Sequence, residues 1–134
     1  MFIIDTERLN VVAKILIVED NQEFAELVKQ WLILEHHVVD TVSDGIAGLH
    51  RLTSCKYDLV ILDWILPGMC GTEICKRFRA GGGNLPILFL SCLGSPDEMN
   101  EALEAGADDF MKKPADSREV SARLRALLRR HRSI

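Results

Sequence analysis

Asp58-Leu59-Val60-Ile61-Leu62-Asp63-Trp64-Ile65-Leu66-Pro67-Gly68-Met69 is the stretch that decides the fold. Leu59 to Leu62 are apolar without a break, the pattern of a strand covered on both faces rather than one. The run stops at a carboxylate, and Pro67-Gly68 marks the loop that leaves it. Working outward, three further short runs follow the same plan. Ile15-Leu16-Ile17-Val18 runs into Glu19-Asp20, Pro86-Ile87-Leu88-Phe89-Leu90 ends at Ser91, and Asp109-Phe110-Met111-Lys112 ends at Lys113. If these are parallel strands of one sheet, all four endings emerge at its carboxyl edge, where open α/β sheets bind ligands.

Between the runs lie helix-like segments, and the alternation repeats five times, as in a sheet built from βαβ units. The first strand covers about Ala13 to Val18. Asn21 to Leu34 then places Phe24, Leu27, Val28, Trp31 and Leu32 on one helical face. His37 to Val42 reads as the second strand, and Asp44 caps a helix that turns Ile46, Leu49 and Leu52 inward. A third helix, from about Gly71 to Ala80, is stopped by Gly81-Gly82-Gly83-Asn84. Ser95 caps a fourth helix with Pro96 at its first position, and Gly106 ends it. Asp116 caps a fifth, whose inward face is Val120, Leu124, Leu127 and Leu128. Right-handed crossovers leave few topologies for five such units. The expectation is a flavodoxin-like, doubly wound α/β fold, a (βα)5 five-stranded parallel sheet of order 2-1-3-4-5. That order sets the four strands with reactive endings side by side. Residues 13–130 form this domain, 1–12 an extension and 131–134 a tail or the start of a linker.

With 134 residues the chain is long enough to bury roughly two-thirds of its unfolded surface. The net charge of −4 is uneven: residues 118–134 carry +5, which leaves −9 on the first 117. So acidic a body argues against direct contact with nucleic acid, while cations in a last helical turn offset the macrodipole and cover apolar surface with their stems. Cys55, Cys70, Cys75 and Cys92 lack metal-pair spacing and are expected as reduced thiols of a cytoplasmic protein. Met1-Phe2-Ile3-Ile4 is too short for a signal peptide. No apolar stretch approaches the ~20 residues of a membrane span.

At the expected edge Glu19, Asp20 and Asp63 crowd together. Such carboxylates raise one another's pKa unless a cation intervenes, and Mg²⁺ favours oxygen ligands and bridges carboxylates to phosphate. Mn²⁺ is the alternative ion. Asp63 is the candidate nucleophile, since a carboxylate attacking phosphorus forms an acyl phosphate. Lys113 supplies a cation for Asp63 or for a phosphoryl oxygen, and Ser91 a hydroxyl. Lys112 is expected to point to the opposite face.

Four elements, Ile15 to Asp20, Asp58 to Met69, Leu88 to Ser91 and Gly106-Ala-Asp-Asp-Phe-Met-Lys-Lys-Pro114, together resemble the receiver domain of two-component response regulators, over about Lys14 to Arg130. Trp64 to Met69 and the helix from Arg118 to Arg130 further resemble the OmpR/PhoB branch, whose receivers precede a winged-helix DNA-binding domain. The Arg-rich end, Arg129-Arg130-His131-Arg132, is similar to the start of an interdomain linker. The resemblance implies that Asp63 accepts a phosphoryl group from a phosphohistidine on a sensor histidine kinase or phosphotransfer protein. It implies Mg²⁺ on Asp20 and Asp63, with Glu19 mainly through water and the Ile65 backbone carbonyl as a further ligand. Lys113 and Ser91 bind phosphoryl oxygens, and the Lys113-Pro114 peptide is often cis. Phe110 takes the switch position: phosphate draws Ser91 inward, the ring fills the space, and the face of fourth helix, fifth strand and fifth helix changes shape. The competing reading of Phe110 is core packing. In the branch that face forms homodimers through ion pairs, matched here by Glu104, Asp108, Asp109, Glu119, Arg123 and Arg130, although Met99 and Asn100 depart from the usual pattern. Their competing reading is an ordinary solvated face.

Other departures carry expectations of their own. Cys70 replaces a helix-capping Asp, with Thr72 as a compensating group, and Cys92 narrows access to the phosphate. Ile65 and Leu93 are apolar where water would reach an acyl phosphate, so a long-lived phosphorylated state is expected. The whole reads as a phospho-accepting switch that controls transcription through an output domain, not as an enzyme with a metabolite substrate. A stand-alone receiver or a phosphorylation-independent adaptor on the same fold is the alternative. Ile65 argues against a haloacid-dehalogenase-like phosphohydrolase, which carries an acid/base Asp two places after its nucleophile.

Overall fold

The computed structural model of the chain describes residues 12–132. Five strands, β1 (Lys14–Val18), β2 (Val38–Val42), β3 (Leu59–Leu62), β4 (Ile87–Ser91) and β5 (Asp109–Lys112), alternate with five helices. The helices are α1 (Gln22–Leu34), α2 (Gly45–Ser54), α3 (Gly71–Ala80), α4 (Pro96–Ala105) and α5 (Ser117–Arg132). Every strand pair is parallel and the order is β2-β1-β3-β4-β5, as expected. The expected extension 1–12 lies outside the described residues apart from Val12, as do residues 133–134. α5 continues through Arg132, so the segment 131–134 begins as helix.

Period-two alternation sorts the strand side chains into two layers. Leu16, Val18, Val60, Leu62, Ile87, Phe89 and Phe110 pack with Leu52, Ile74, Phe78 and Ala102 of α2, α3 and α4. Ile15, Ile17, Leu59, Ile61, Leu88, Leu90 and Met111 pack with Ala25, Val28 and Leu32 of α1 and with Val120, Leu124, Leu127 and Leu128 of α5. Each fully buried Leu, Ile or Phe contributes about 1.5–3 kcal/mol, and both layers need the same register. In that register Val18 pairs with Leu62, Leu62 with Phe89 and Phe89 with Phe110. The strand ends are thus aligned across the sheet, and Glu19, Asp63, Ser91 and Lys113 follow at one rim.

Two inward faces differ from the sequence reading. Leu27 is 48% exposed, because α1 turns Ala25, Val28 and Leu32 to the sheet, with Phe24 and Trp31 half-buried at the flank. Ile46 is 59% exposed, because the buried side of α2 is Gly45, Gly48 and Leu52. A Cβ on Gly45 would lie 1.8 Å from the Met69 carbonyl oxygen, so the helix approaches that loop more closely than any side chain allows.

The caps follow the expected chemistry with one gap. Asn21 Oδ1 accepts from the Phe24 N–H and Asp44 Oδ1 from the Ala47 N–H. Ser95 and Glu98 form a reciprocal capping box on α4, and Asp116 Oδ1 accepts from the Arg118 N–H. Cys70 makes no side-chain cap on α3; its Sγ lies 3.3 Å from the hydroxyl of buried Thr72.

Candidate functional site

β1 and β3 are neighbours in the sheet, so the residues that follow them, Glu19-Asp20 and Asp63, meet above its centre. One oxygen from each of Glu19, Asp20 and Asp63 can be chosen so that all three lie within 4.8 Å of one another. Asp20 is exposed, whereas Glu19 and Asp63 are buried. The Asp63 N–H is fixed by the Val18 carbonyl at 3.1 Å, and its Oδ1 accepts from the Trp64 N–H at 2.6 Å. Oδ2 faces Lys113, whose Nζ donates to it at 3.1 Å.

Lys113 is the first residue after β5 and stands at the rim just before the cis Lys113-Pro114 peptide. Its ammonium also donates to Glu19 Oε1 and lies 4.4 Å from the centroid of the Phe24 ring. Burial works against the Lys113 charge, but the hydrogen bonds and charges of Glu19 and Asp63 outweigh it and hold its pKa above the ordinary lysine value. Burial pushes the Glu19 carboxyl up, and the charge of Asp63 pushes the same way. Hydrogen bonds from Lys113 and from the Asn21 N–H, the latter at 3.1 Å on Oε2, oppose them. One ammonium shared by two buried carboxylates leaves the partly dry cluster one negative charge in excess, in surroundings where electrostatic interactions are stronger than in water.

Ser91 closes β4 beside Lys112, and its carbonyl accepts the Lys113 N–H at 2.8 Å. Its hydroxyl is buried and accepts from the Leu93 N–H at 3.3 Å. Lys112 is exposed and packs along Gly94, away from the carboxylates. The Ile65 side chain is 61% exposed. The Phe110 ring lies inside the α2–α4 layer, stacked on Phe89 at 5.9 Å and edge-on to Trp64 at 6.5 Å.

The residues expected on the outer face are largely paired within the chain. Arg123 holds Asp109 and Glu119, each at 3.1 Å. Asp108 binds Arg79 at 2.9 Å and accepts the Ile87 N–H, so it ties α3 to the start of β4. Glu104 and Arg130 are exposed. All four cysteines are free; Cys75 is buried, and burial pushes its thiol up to about 12. Two contacts escaped the sequence reading: the Lys113–Glu19 pair and the Phe24 ring beneath the ammonium. From the sequence and its resemblance, Glu19 reads mainly as a water-mediated metal ligand and Phe24 as part of an inward helical face.

Three carboxylates, an ammonium and a hydroxyl at the carboxyl edge of a 2-1-3-4-5 sheet is an arrangement with known counterparts. The family model of the response regulator receiver domain matches residues 15–125. The chain is a member of the response regulator receiver domain family. This receiver domain is 44% identical over 119 residues to the response regulator RppA of Synechocystis, covering 87% of the chain and 51% of RppA. It is 42% identical over 117 residues to the transcriptional regulatory protein TctD of Salmonella typhimurium, covering 87% of the chain and 52% of TctD. The receiver domain thus spans about half the length of these relatives. Among solved structures it is similar to the BeF3-activated N-terminal receiver domain of Klebsiella pneumoniae RstA, with a TM-score of 0.82 and 34% identity, over 87% of this chain and 98% of that one. The receiver domain of the Pseudomonas aeruginosa sensor histidine kinase PA1611 matches with a TM-score of 0.80 and 27% identity over the same shares, and holds a magnesium ion in its active-site cleft. Among the described residues, no helix is long and apolar enough to cross a membrane.

Proposed function

We propose that this receiver domain is a phosphorylation switch in which Asp63 is the acceptor. A carboxylate oxygen of Asp63 attacks the phosphorus of a phosphohistidine on a sensor kinase or phosphotransfer protein. The new O–P bond forms as the N–P bond breaks, and the imidazole leaves with its electron pair. The observation that carries this reading is the meeting of Asp63 with Lys113, Glu19 and Asp20 at one rim.

The carboxylate trio suits Mg²⁺, a hard cation that takes oxygen ligands; Asp20 and Asp63 would hold it directly, with Glu19 through water and the Ile65 carbonyl as a further ligand. Bound there, the ion would neutralise carboxylate and phosphoryl charge. The chain's own part is to position the acceptor and to exchange partners around it. The Trp64 N–H fixes the Asp63 carboxylate, Lys113 moves from Asp63 Oδ2 to a phosphoryl oxygen, and Ser91 gives up the Leu93 N–H to donate its hydroxyl to another. Phe110 registers that exchange. Having no hydroxyl with which to hold a place in solvent, its ring favours the core beside Phe89, and phosphorylation acts by shifting the populations of its surroundings. The signal leaves through α4, β5 and α5; a homodimer on that face would use the exposed Glu104 and Arg130 and would require Asp108, Asp109, Glu119 and Arg123 to exchange their partners within the chain for partners on the second copy. Residues 13–130 act as the receiver of a cytoplasmic transcription regulator, and the domain turns over no metabolite.

The test is intact mass after incubation with Mg²⁺ and phosphoramidate. One added phosphoryl group, absent from Asp63→Ala, is expected. No adduct on the native chain would favour a phosphorylation-independent adaptor, and rapid multiple turnover would favour a hydrolase.

A further inference from the structure

The geometry points to Phe24 as a positioning residue for phosphoryl transfer, one that holds the Lys113 ammonium against Asp63 through the face of its ring. This inference rests on the phospho-acceptor reading above. Lys113 has three N–H donors; carboxylates take two, at Glu19 and at Asp63. The remaining side of the ammonium meets the Phe24 ring, 4.4 Å from its centroid. An aromatic face attracts a cation through its quadrupole, and more strongly where the cation is partly desolvated. The Lys113 side chain is 13% exposed.

The ring is itself held in place from the site. Glu19 Oε1 binds Lys113 while Oε2 accepts the Asn21 N–H, and Asn21 Oδ1 caps the Phe24 N–H at 3.0 Å. Glu19, Asn21, Phe24 and Lys113 therefore form a closed circuit in which the first turn of α1 is oriented by the group it supports. The arrangement suits the reaction because Lys113 must release one carboxylate oxygen to reach a phosphoryl oxygen. Attraction by a ring has no fixed acceptor atom, so it persists while the hydrogen-bond partners change. A Leu or Ile at this position would fill the volume without attracting the charge.

Replacing Phe24 by mono-, di- and trifluorophenylalanine weakens the face of the ring stepwise at nearly constant shape. The rate of Asp63 phosphorylation from phosphoramidate at saturating Mg²⁺ is expected to fall stepwise, by about threefold to tenfold at the trifluoro residue and in Phe24→Leu. Phe24→Trp should retain it, with the thermal midpoint of the fluorinated series unchanged. In a Lys113→Ala background the series should be flat, since the two residues act as one unit. A flat series on a native chain that is still labelled at Asp63 overturns this inference alone. A graded series that survives Lys113→Ala overturns the ring–ammonium contact as its cause. A native chain that takes up no phosphoryl group overturns this inference together with the reading beneath it.

Discussion

Lys113 shows how a single side chain changes meaning once the chain is folded. Its sequence context, an apolar run followed by proline, marks it as poised at a strand end, and pairing with Asp63 is legible from that. Its second carboxylate, Glu19, lies 94 positions away and is not. Ile65 poses the opposite case: its side chain is 61% exposed although apolar, which stability alone gives no reason for. Beside the acceptor it withholds a polar group that could orient water onto an acyl phosphate. Ile65→Asn is expected to shorten the lifetime of phosphorylated Asp63 severalfold with little change in stability, read by following loss of the adduct mass. An unchanged lifetime would remove Ile65 from any role in hydrolysis.

Elements are placed here as much by missing side chains as by apolar ones. α3 begins against the acceptor loop: a Cβ on Gly71 would lie 2.2 Å from the Asp63 carbonyl oxygen and 2.9 Å from a Phe89 ring carbon. Gly71→Ala must push backbone apart, at a cost of roughly 1–3 kcal/mol, and must move Asp63 with it. Urea unfolding should show the lower stability and phosphorylation should slow in parallel; a variant normal in both would refute the close approach. α4 is held at its start by the Ser95–Glu98 box, where hydrogen bonds from Ser95 and Gly94 hold the Glu98 carboxyl below its usual range. A depressed acid contributes stability above its unfolded pKa and loses it as pH falls through its folded value. The midpoint of acid unfolding should therefore respond to Glu98→Gln, the difference from the native chain shrinking toward low pH. Ser95→Ala should cost about 1 kcal/mol at neutral pH. Equal acid sensitivity in the native and Glu98→Gln chains would show that the Glu98 charge adds nothing to the cap.

At the scale of the whole molecule, the alternation of continuous apolar runs with helical patterns was enough to determine a parallel sheet, its strand order and the rim on which Asp63, Asp20, Ser91 and Lys113 stand. These features are legible because they rest on local periodicity and on the handedness of crossovers, both written residue by residue. The inner faces of α1 and α2 were not. Reading large apolar residues as buried put Leu27 and Ile46 inside, whereas Gly45 and Gly48 carry the contact. A glycine has no hydrophobic signal of its own, and its value is set by the neighbour that comes within reach. The same holds for the site. Sequence alone determined which chemical groups assemble and at which edge of the sheet. Only the tertiary structure decided how one ammonium is divided between Glu19 and Asp63, that an aromatic ring backs it, and that Asp108 and Asp109 are spent on Arg79 and Arg123. Such partnerships join segments far apart in the chain, and distance and direction between them exist only after the sheet has closed its register.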